Sequence, residues 1–280
     1  MNKIELLAPA GNLEKLKFAY LYGADACYIG GRDFSLRANA KNFSIEEINE
    51  ACSYAHNLGK RVYVTVNIVF HNEDINGIID YLKELAKAKV DAIIVSDPAV
   101  ISIAKKNTNL EIHLSTQQST LNIEACRFWK KQGVSRIVLG REVSKEDILE
   151  IRKNVDIEIE CFVHGAMCAG LSGRCVLSNY FTNRDANRGG CAHSCRWNYT
   201  LYHDEKELPG TFNIGSKDLM ALKYIPALIE SKVSSLKIEG RMKSAYYLAT
   251  VIRAYRMLVD RYYYLNKKGL SLKEEDYKNA

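Results

Sequence analysis

The chain has 280 residues, of which 47% are apolar and 26% charged, and this is enough for one large α/β domain with a full core. No apolar run reaches the roughly 18 residues that a membrane span requires, and the N-terminus lacks a signal-peptide pattern. We therefore expect a cytoplasmic protein with no membrane partner. The formal net charge of +6 is too small to indicate a nucleic-acid partner by itself.

Short β-branched runs alternate with amphipathic stretches along the chain. Ser44 with Glu47, and Ser144 with Asp147, have the spacing of capping boxes and predict two helix starts. Glycines follow three of the helical patterns, as expected after a helix C-terminus: they are Gly23, Gly59 and Gly133. The predicted strands cover residues 4–10, 26–31, 61–69, 91–97, 110–116, 136–142, 157–163 and 234–240.

This alternation predicts a TIM-like (β/α)8 barrel, which needs eight β–α units in about 250 residues. A doubly wound open sheet is the main alternative, but no G-x-G-x-x-G follows the first strand. Polar residues gather where predicted strands end, for example Arg141 after the sixth strand and Glu239 and Arg241 after the eighth. Because barrel enzymes place ligand groups at the carboxyl ends of strands, we expect the active site there.

The regular alternation is interrupted once, by a cysteine-rich insertion at about residues 164–215, between the seventh strand and a helix expected to begin near Ser216. A long loop without structure of its own is usually functional. A helical, tyrosine-rich stretch follows from Ser244 to Leu265. We assign residues 1–265 to the barrel domain, and 266–280 to a polar tail or the start of a linker to a C-terminal domain.

Four cysteines of the insertion lie within 28 residues. In a cytoplasmic protein we expect reduced or metal-bound thiols, and clustered thiolates normally hold zinc, copper(I) or an iron–sulfur cluster. Structural zinc sites prefer two tight cysteine pairs, whereas only one pair is tight here, so the spacing favours a four-iron cluster over zinc. His164 or His193 could replace one thiolate, and Cys161 is the expected spectator. The four cysteines are Cys168, Cys175, Cys191 and Cys195.

Arginines and aromatic residues interleave in the same region. Residues 161–199 contain four arginines against one aspartate and no lysine: Arg174, Arg184, Arg188 and Arg196 against Asp185. Guanidinium groups bind phosphates and carboxylates, and aromatic rings stack on unpaired bases. Packing within the loop explains the composition equally well. The aromatic residues are Tyr180, Phe181, Trp197 and Tyr199.

Several of these segments resemble one known family. Residues 160–162, 165–168 and 173–178 are similar to the signature of the collagenase-like peptidases, family 32 of the unknown-mechanism class U. The resemblance extends to LLAPAGNLEKLKFAYLYGADACYIGG, LSTQ, GREVS, NRGGCAHSCRWNY and LKIEGRMKSAYY, and so covers nearly the whole chain. Within the family, the chain is most similar to the tRNA-hydroxylation branch.

The resemblance implies an RNA hydroxylase. The tRNA branch makes 5-hydroxyuridine at the wobble position and depends on prephenate, and family members carry a 4Fe–4S cluster on four cysteines. By position, those ligands would be Cys168, Cys175, Cys191 and Cys195. The ubiquinone-hydroxylating branch has its fourth cysteine much further downstream, so Cys195 favours the RNA branch.

This interpretation assigns roles to further residues. Glu239 is the acid–base candidate, grouped with Arg241 as catalytic, and an ion pair of Glu239 with Arg241 or Lys237 is the alternative. The expected partner is tRNA, with prephenate as co-substrate held by arginines. The candidate substrate-binding residues are Arg141, Arg174, Arg188, Tyr180 and Trp197.

Two other functions remain open. The family name implies a peptidase, but the chain has no H-E-x-x-H helix and no G-x-S-x-G motif. Cys161 and His164 lie three apart on a predicted strand and would point to opposite faces. The chain could also be a cluster-binding partner subunit of a longer paralogue, or a homo-oligomer, because many family members continue into a further domain. We therefore expect either a shorter subgroup or a truncated chain.

Overall fold

The computed structural model describes residues 3–36 and 42–280. Within this part of the chain, eight parallel strands close into a barrel, because the eighth strand pairs with both the seventh and the first. The TIM-like (β/α)8 fold is therefore confirmed, with each strand inside a predicted run or within two residues of it. The strands are Glu5–Pro9, Ala26–Gly30, Arg61–Val66, Ala92–Val95, Glu111–Leu114, Arg136–Val138, Glu158–Gly165 and Ser235–Ile238.

Helices cover the outside of the barrel. The Ser44 capping box with Glu47 is formed, and the Ser144 hydroxyl accepts the Asp147 N–H, so both predicted helix starts are confirmed. None of the described helices combines the length and apolarity needed to cross a bilayer. The surrounding helices are Leu13–Leu21, Ile45–Asn57, Ile78–Lys87, Pro98–Asn107, Ile123–Lys131, Lys145–Asn154, Ile225–Glu230 and Ala245–Asn266.

Side chains of each strand alternate between the helices and the barrel interior. Leu6 and Ala8 of the first strand join the core under the helices, whereas Leu7 between them faces inward. The inward apolar group fills the middle of the barrel, so the barrel is a packed core rather than a channel. Its members are Leu7, Ala26, Tyr28, Tyr63, Ala92 and Ile94.

A buried charge network fills the amino-terminal end of the barrel. Arg136 bonds Glu5 at 2.5 Å and Glu160 at 3.3 Å, and Lys237 bonds the other oxygen of Glu160 at 2.7 Å. The Tyr63 hydroxyl donates to Glu5 at 2.7 Å. Burial alone would raise the pKa of Glu160, but Lys237 and Arg136 hold it below its ordinary value. Lys237 therefore pairs with Glu160.

The predicted helix start near Ser216 is wrong. A short strand, Leu219–Met220, comes first, then a 3₁₀ turn at Leu222–Tyr224, and the helix begins at Ile225 with Pro226 in its first turn. Proline favours the first turn of a helix because its missing N–H would have no partner there. The pairing of Leu219–Met220 with the seventh strand holds the preceding residues in an extended form.

The last residues return to the barrel. After the long helix, a short helix at Glu274–Lys278 is held by an ion pair of Arg261 with Asp276 at 2.8 Å. Leu272 and Tyr277 pack against the main core. Residues 266–280, expected to be a polar tail or the start of a linker, thus include a segment that packs on the barrel in this structure.

Candidate functional site at the barrel mouth

The four clustered cysteines lie in residues 166–218, which we call the cysteine loop. The loop leaves the seventh strand at Gly165 and returns at Leu219, which pairs with Gly165 in antiparallel fashion. Gly165 has a φ of 104°, and a Cβ there would lie 2.9 Å from the backbone oxygen of Glu239. Glycine is needed at this turn, and both ends of the loop stand beside the eighth strand at the barrel mouth.

The cysteine loop is folded from short elements. They include a helix at Leu177–Thr182, 3₁₀ turns at Ala186–Arg188 and Ser194–Arg196, and a small hairpin. The Ser178 hydroxyl accepts the Ala192 N–H at 3.0 Å, which joins the loop's helix to the residue after Cys191. The predicted insertion therefore has internal order of its own, built mainly from turns.

The four cysteines of the loop form one group of thiols. All four are half-buried and free, whereas the other four cysteines of the chain are fully buried. Burial raises the pKa of Cys168, and the charges of Cys175, Cys191 and Cys195 raise it further. The Gly170 N–H donates to the Cys168 sulfur at 3.4 Å. The charges of the other three thiols thus act on Cys168, an arrangement that a positive metal group would stabilise.

The remaining cysteine near the loop, Cys161, is buried in the seventh strand. Burial raises its pKa to about 12, so it stays a protonated thiol at neutral pH. This agrees with the spectator role expected for Cys161. Among the described residues, no three Cys, His, Asp or Glu side chains converge on one point that could hold a single metal ion.

Arg188, a predicted substrate-binding residue, is used to attach the loop to the barrel. Its guanidinium donates to the carbonyl of Val69 at 2.7 Å and to the Oδ1 of Asp74 at 3.0 Å. The hydrogen bond with Arg188 is the main cause that lowers the pKa of Asp74, to about 2. The Val69 N–H also donates to the carbonyl of Asn187 at 3.1 Å. The cysteine loop therefore rests on the segment after the third strand.

Glu142, which directly follows Arg141, supports the loop from the segment after the sixth strand. It accepts the Ser172 N–H at 2.8 Å and the Ser172 hydroxyl at 3.2 Å. A Cβ at Gly140 would lie 2.8 Å from that hydroxyl and 2.4 Å from Leu121. Ser172, four residues after Cys168, can thus lie close to the backbone at position 140 because this residue is a glycine.

The two arginines at the strand ends have different surroundings. Arg241 is only 5% exposed, and its guanidinium donates to Thr65 at 3.2 Å and Ser35 at 3.0 Å. A Cβ at Gly30 would lie 2.0 Å from it, so glycine makes room for this side chain. Arg141 is half-buried and stacks 3.9 Å above the ring of Phe162. Arg241 thus belongs to the polar packing of the mouth, whereas Arg141 lies nearer its surface.

Glu239 lies at the base of the cysteine loop. Its N–H donates to the carbonyl of His164 at 2.9 Å, which fixes it beside the end of the seventh strand. Burial raises the pKa of Tyr247, and the charge of Glu239 raises it further. The His164 ring lies 5.9 Å from Tyr247 and 5.6 Å from Tyr255. The structure thus brings Glu239 to the point where the loop joins the barrel.

The aromatic residues of the loop form one cluster around Phe181. The Phe181 ring lies 5.0 Å from Tyr180 and 5.9 Å from both Trp197 and Tyr199. Tyr180 is 83% exposed and Trp197 41% exposed, so both present ring surface to solvent. Arg174 and Arg184 are also exposed, whereas Arg196 pairs with Asp218 at 3.1 Å. Two of the predicted substrate residues, Tyr180 and Trp197, are therefore brought together through Phe181.

The comparison of sequences with known families gives the same assignment as the signature residues. The model of the Peptidase U32 family matches residues 11–280. The chain belongs to this family. A tRNA hydroxylation protein P1 from Bacillus subtilis is 53% identical over 93% of the chain and 64% of its own length. The chain thus spans about two thirds of that relative.

Other family members carry different names. A 23S rRNA 5-hydroxycytidine synthase from Escherichia coli is 36% identical over 92% of the chain and 40% of its own length. A protein named collagenase from Porphyromonas gingivalis is 34% identical over 94% of the chain and 67% of its own length. The solved structure of a U32 peptidase has a TM-score of 0.57 at 13% identity, covering 86% of this chain and 95% of that one, and supports the fold.

Proposed function

We propose that the chain is an RNA-modifying enzyme that hydroxylates tRNA at the barrel mouth, beneath the cysteine loop. The observation that carries this proposal is the 53% identity, over 93% of the chain, to a tRNA hydroxylation protein. The rRNA hydroxycytidine synthase in the same family supports a hydroxylated pyrimidine as the shared product. The specific product proposed is 5-hydroxyuridine at the wobble position, which implies a cytoplasmic protein.

The proposed cofactor is a 4Fe–4S cluster on Cys168, Cys175, Cys191 and Cys195. A cluster offers each thiolate its own iron, whereas zinc takes all four sulfurs on one atom. The wide spacing of these cysteines, with only one tight pair, supports the cluster over a zinc ion, and all four thiols are half-buried in the same loop. When bound, the cluster would supply an iron centre at the barrel mouth whose potential responds to nearby N–H groups such as that of Gly170.

The residues of the chain would position the substrate around this centre. Glu239, at the base of the loop, is the proposed proton acceptor or donor. Prephenate, as co-substrate, is a dianion that suits guanidinium groups, and Arg141 and the exposed Arg174 are the proposed ligands. Arg241 would shape the mouth through Ser35 and Thr65. Arg188 is assigned to holding the loop, because Asp74 and Val69 occupy its guanidinium.

The exposed aromatic cluster would bind the RNA. A wobble nucleotide is unpaired in free tRNA, and unpaired bases stack on aromatic side chains. Tyr180 and Trp197 present such rings in a loop that also exposes Arg174 and Arg184. Stacking of the bases next to the target would leave the target base itself to enter the barrel mouth.

The decisive experiment is to purify the chain without oxygen and to measure iron, sulfide and zinc. We expect about four irons per chain, as a 4Fe–4S cluster requires, and their loss in Cys175→Ser. Cys161→Ala is the matched control, because Cys161 is a neighbouring cysteine outside the proposed ligand set, and it should keep its iron. In cells lacking the native gene, mass spectrometry of tRNA should show 5-hydroxyuridine with the control variant and not with Cys175→Ser. Modification by a protein that holds no cluster would contradict the proposal.

The collagenase relative keeps a peptidase as the second candidate function. The Cys161–His164 pair does not support it, because burial keeps the Cys161 thiol protonated. Incubation of the purified chain with denatured collagen and with tRNA, side by side, separates the two activities. Hydroxylation that occurs only after a longer paralogue is added would instead identify the chain as a partner subunit.

A further inference from the structure

The segment after the third strand contacts the middle of the cysteine loop at several points. Val69 exchanges two hydrogen bonds with the loop, donating its N–H to the Asn187 carbonyl and accepting the Arg188 guanidinium. The two terminal nitrogens of that guanidinium also bond the Asp74 carboxylate. The same carboxylate accepts the His71 N–H at 2.7 Å. These contacts join parts of the chain more than 110 residues apart.

The same part of the loop holds one of the clustered cysteines. The Asn187 side chain accepts the Cys175 N–H at 3.3 Å and donates to the Cys175 carbonyl at 3.1 Å. One side chain therefore fixes both polar groups of the Cys175 backbone. Asn187 is itself adjacent to Arg188, so the position of Cys175 is linked to the barrel through two residues.

A tight turn extends this link to a second cysteine. Gly189 has a φ of 98°, and the Gly190 N–H donates to the Asp185 carbonyl at 2.7 Å. A Cβ at Gly190 would lie 2.7 Å from that oxygen, so the turn leaves no room for a side chain. Cys191 follows directly. Its position is therefore set by the same segment, Asp185–Gly190, that Arg188 ties to Asp74.

We propose that Asp74, Asn187 and Arg188 form a clamp whose role is to hold Cys175 and Cys191 in place relative to the barrel before any metal group binds. The three are positioning residues, and the segment after the third strand is part of the thiol site although it contributes no ligand. The expected effect on metal binding rests on the proposed function. The expected effect on the positions of the thiols does not depend on it.

The physical basis is pre-organisation. A loop of this length has many conformations, and each residue that must be ordered on binding lowers the affinity for the bound group. An arginine that bonds a carboxylate through two nitrogens resists rearrangement more than a single contact does. Asp74 is 14% and Arg188 23% exposed, so solvent screens their attraction less than that of Arg196 and Asp218, which are 39% and 46% exposed.

The test compares Asp74→Asn and Asn187→Ala with Asp218→Asn. The last variant breaks another ion pair of the loop, that of Arg196 with Asp218, which lies next to Cys195 and contacts neither Cys175 nor Cys191. It is therefore the matched control for the labelling of those two cysteines. Two quantities are measured: the rate at which an iron chelator removes metal from the anaerobic protein, and the rate at which a thiol reagent labels each cysteine of the metal-free protein. Peptide mass spectrometry assigns the labelled positions.

We expect both clamp variants to lose iron roughly tenfold faster, which corresponds to about 1.4 kcal/mol. Labelling of Cys175 and Cys191 should accelerate by a similar factor, while the labelling of these two cysteines in Asp218→Asn stays within about twofold of that in the natural chain. Cys27, buried in the second strand, is the internal control for global unfolding. Its labelling should not change. If Cys27 accelerates together with Cys175, the variant has unfolded, and the comparison is repeated with Arg188→Lys, which keeps the charge but removes the two-nitrogen contact.

Unchanged labelling of Cys175 and Cys191 in the folded clamp variants would overturn the proposal. This result is distinct from failure of the proposed function, because labelling is read in protein without metal. If the natural chain binds no iron at all, the cofactor assignment fails, and the labelling rates still decide whether the clamp exists.

Discussion

The two ends of the barrel handle charge in opposite ways. At the amino-terminal end, Arg136, Glu160 and Lys237 are almost completely buried, and each is bonded to a partner of opposite charge. At the mouth, the cysteine loop exposes arginines and aromatic rings, and the ion pair of Arg188 with Asp74 is only partly buried. The buried network of Arg136, Glu160 and Lys237 therefore lies at the end away from the candidate site.

This difference separates stability from chemistry. A buried ion pair tolerates no loss of a partner, because the remaining charge has neither water nor counter-charge. Half-exposed groups at the mouth keep contact with water and can exchange it for a substrate. In barrel enzymes, the amino-terminal face generally serves stability and the carboxyl-terminal face serves function, and the buried network and the candidate site of this chain lie at the corresponding ends.

The largest expected effect tests the buried network directly. Arg136→Met leaves the carboxylates of Glu5 and Glu160 without their shared partner, and we expect the free energy of unfolding to fall by about 3–5 kcal/mol. Urea unfolding followed by circular dichroism measures this change. Arg196→Met, which breaks an exposed pair at the other end, should cost less than about 1 kcal/mol. Equal losses in the two variants would show that the two ends do not differ.

A smaller effect concerns pH. His113 is 1% exposed, and burial lowers its pKa below the ordinary value, so it is neutral in the folded protein at neutral pH. The unfolded chain binds a proton there below about pH 6.5, and stability must therefore fall as the pH drops through that value. Lowering the pH from 7.5 to 5.5 should lower the free energy of unfolding by up to about 1.4 kcal/mol through His113 alone.

Two substitutions sharpen the pH prediction. His113→Asn removes the titrating group and should flatten the dependence of the melting temperature on pH between 7.5 and 5.5. His203→Asn is the matched control, because His203 is 79% exposed and should leave the slope unchanged. The same slope in both variants would mean that another group causes the pH dependence.

The smallest effect on stability is expected at the aromatic cluster. Tyr180→Ala removes a ring that is 83% exposed, and the free energy of unfolding should change by less than about 0.5 kcal/mol. If the ring stacks on RNA, affinity for an anticodon stem-loop should fall by about 1–3 kcal/mol. Fluorescence of Trp197 in a Trp129→Phe background measures binding, and Tyr246→Ala, an equally exposed ring outside the loop, is the control. Equal affinities in the two variants would exclude stacking at Tyr180.

The sequence was most informative where local chemistry decides the structure. The β-branched runs, the Ser44 cap and the grouping of the four cysteines depend on neighbouring residues, and the strands and caps appear where they were predicted. The helix expected near Ser216 failed because a distant contact, the pairing of Leu219 with Gly165, holds that segment in an extended form.

The roles of individual arginines could not be read from the sequence for the same reason. Arg188 and Arg174 lie in the same arginine-rich segment of the sequence. The structure shows that Arg188 bonds Asp74, which lies 114 positions away. Arg241 follows a strand like other mouth residues, yet its burial depends on the missing side chain of Gly30. Asn187 stood within a quoted motif, and its bonds to Cys175 became visible only in three dimensions.

The pairing of Gly165 with Leu219 has a consequence for how this architecture can change. The cysteine loop starts and ends at these two paired positions. Its length and sequence are therefore independent of the closure of the eight strands. Insertions or deletions within residues 166–218 leave the scaffold's connectivity intact, and adding residues to a flexible loop costs little entropy. The size and chemistry of the cysteine loop can therefore change while the eight-stranded barrel stays the same.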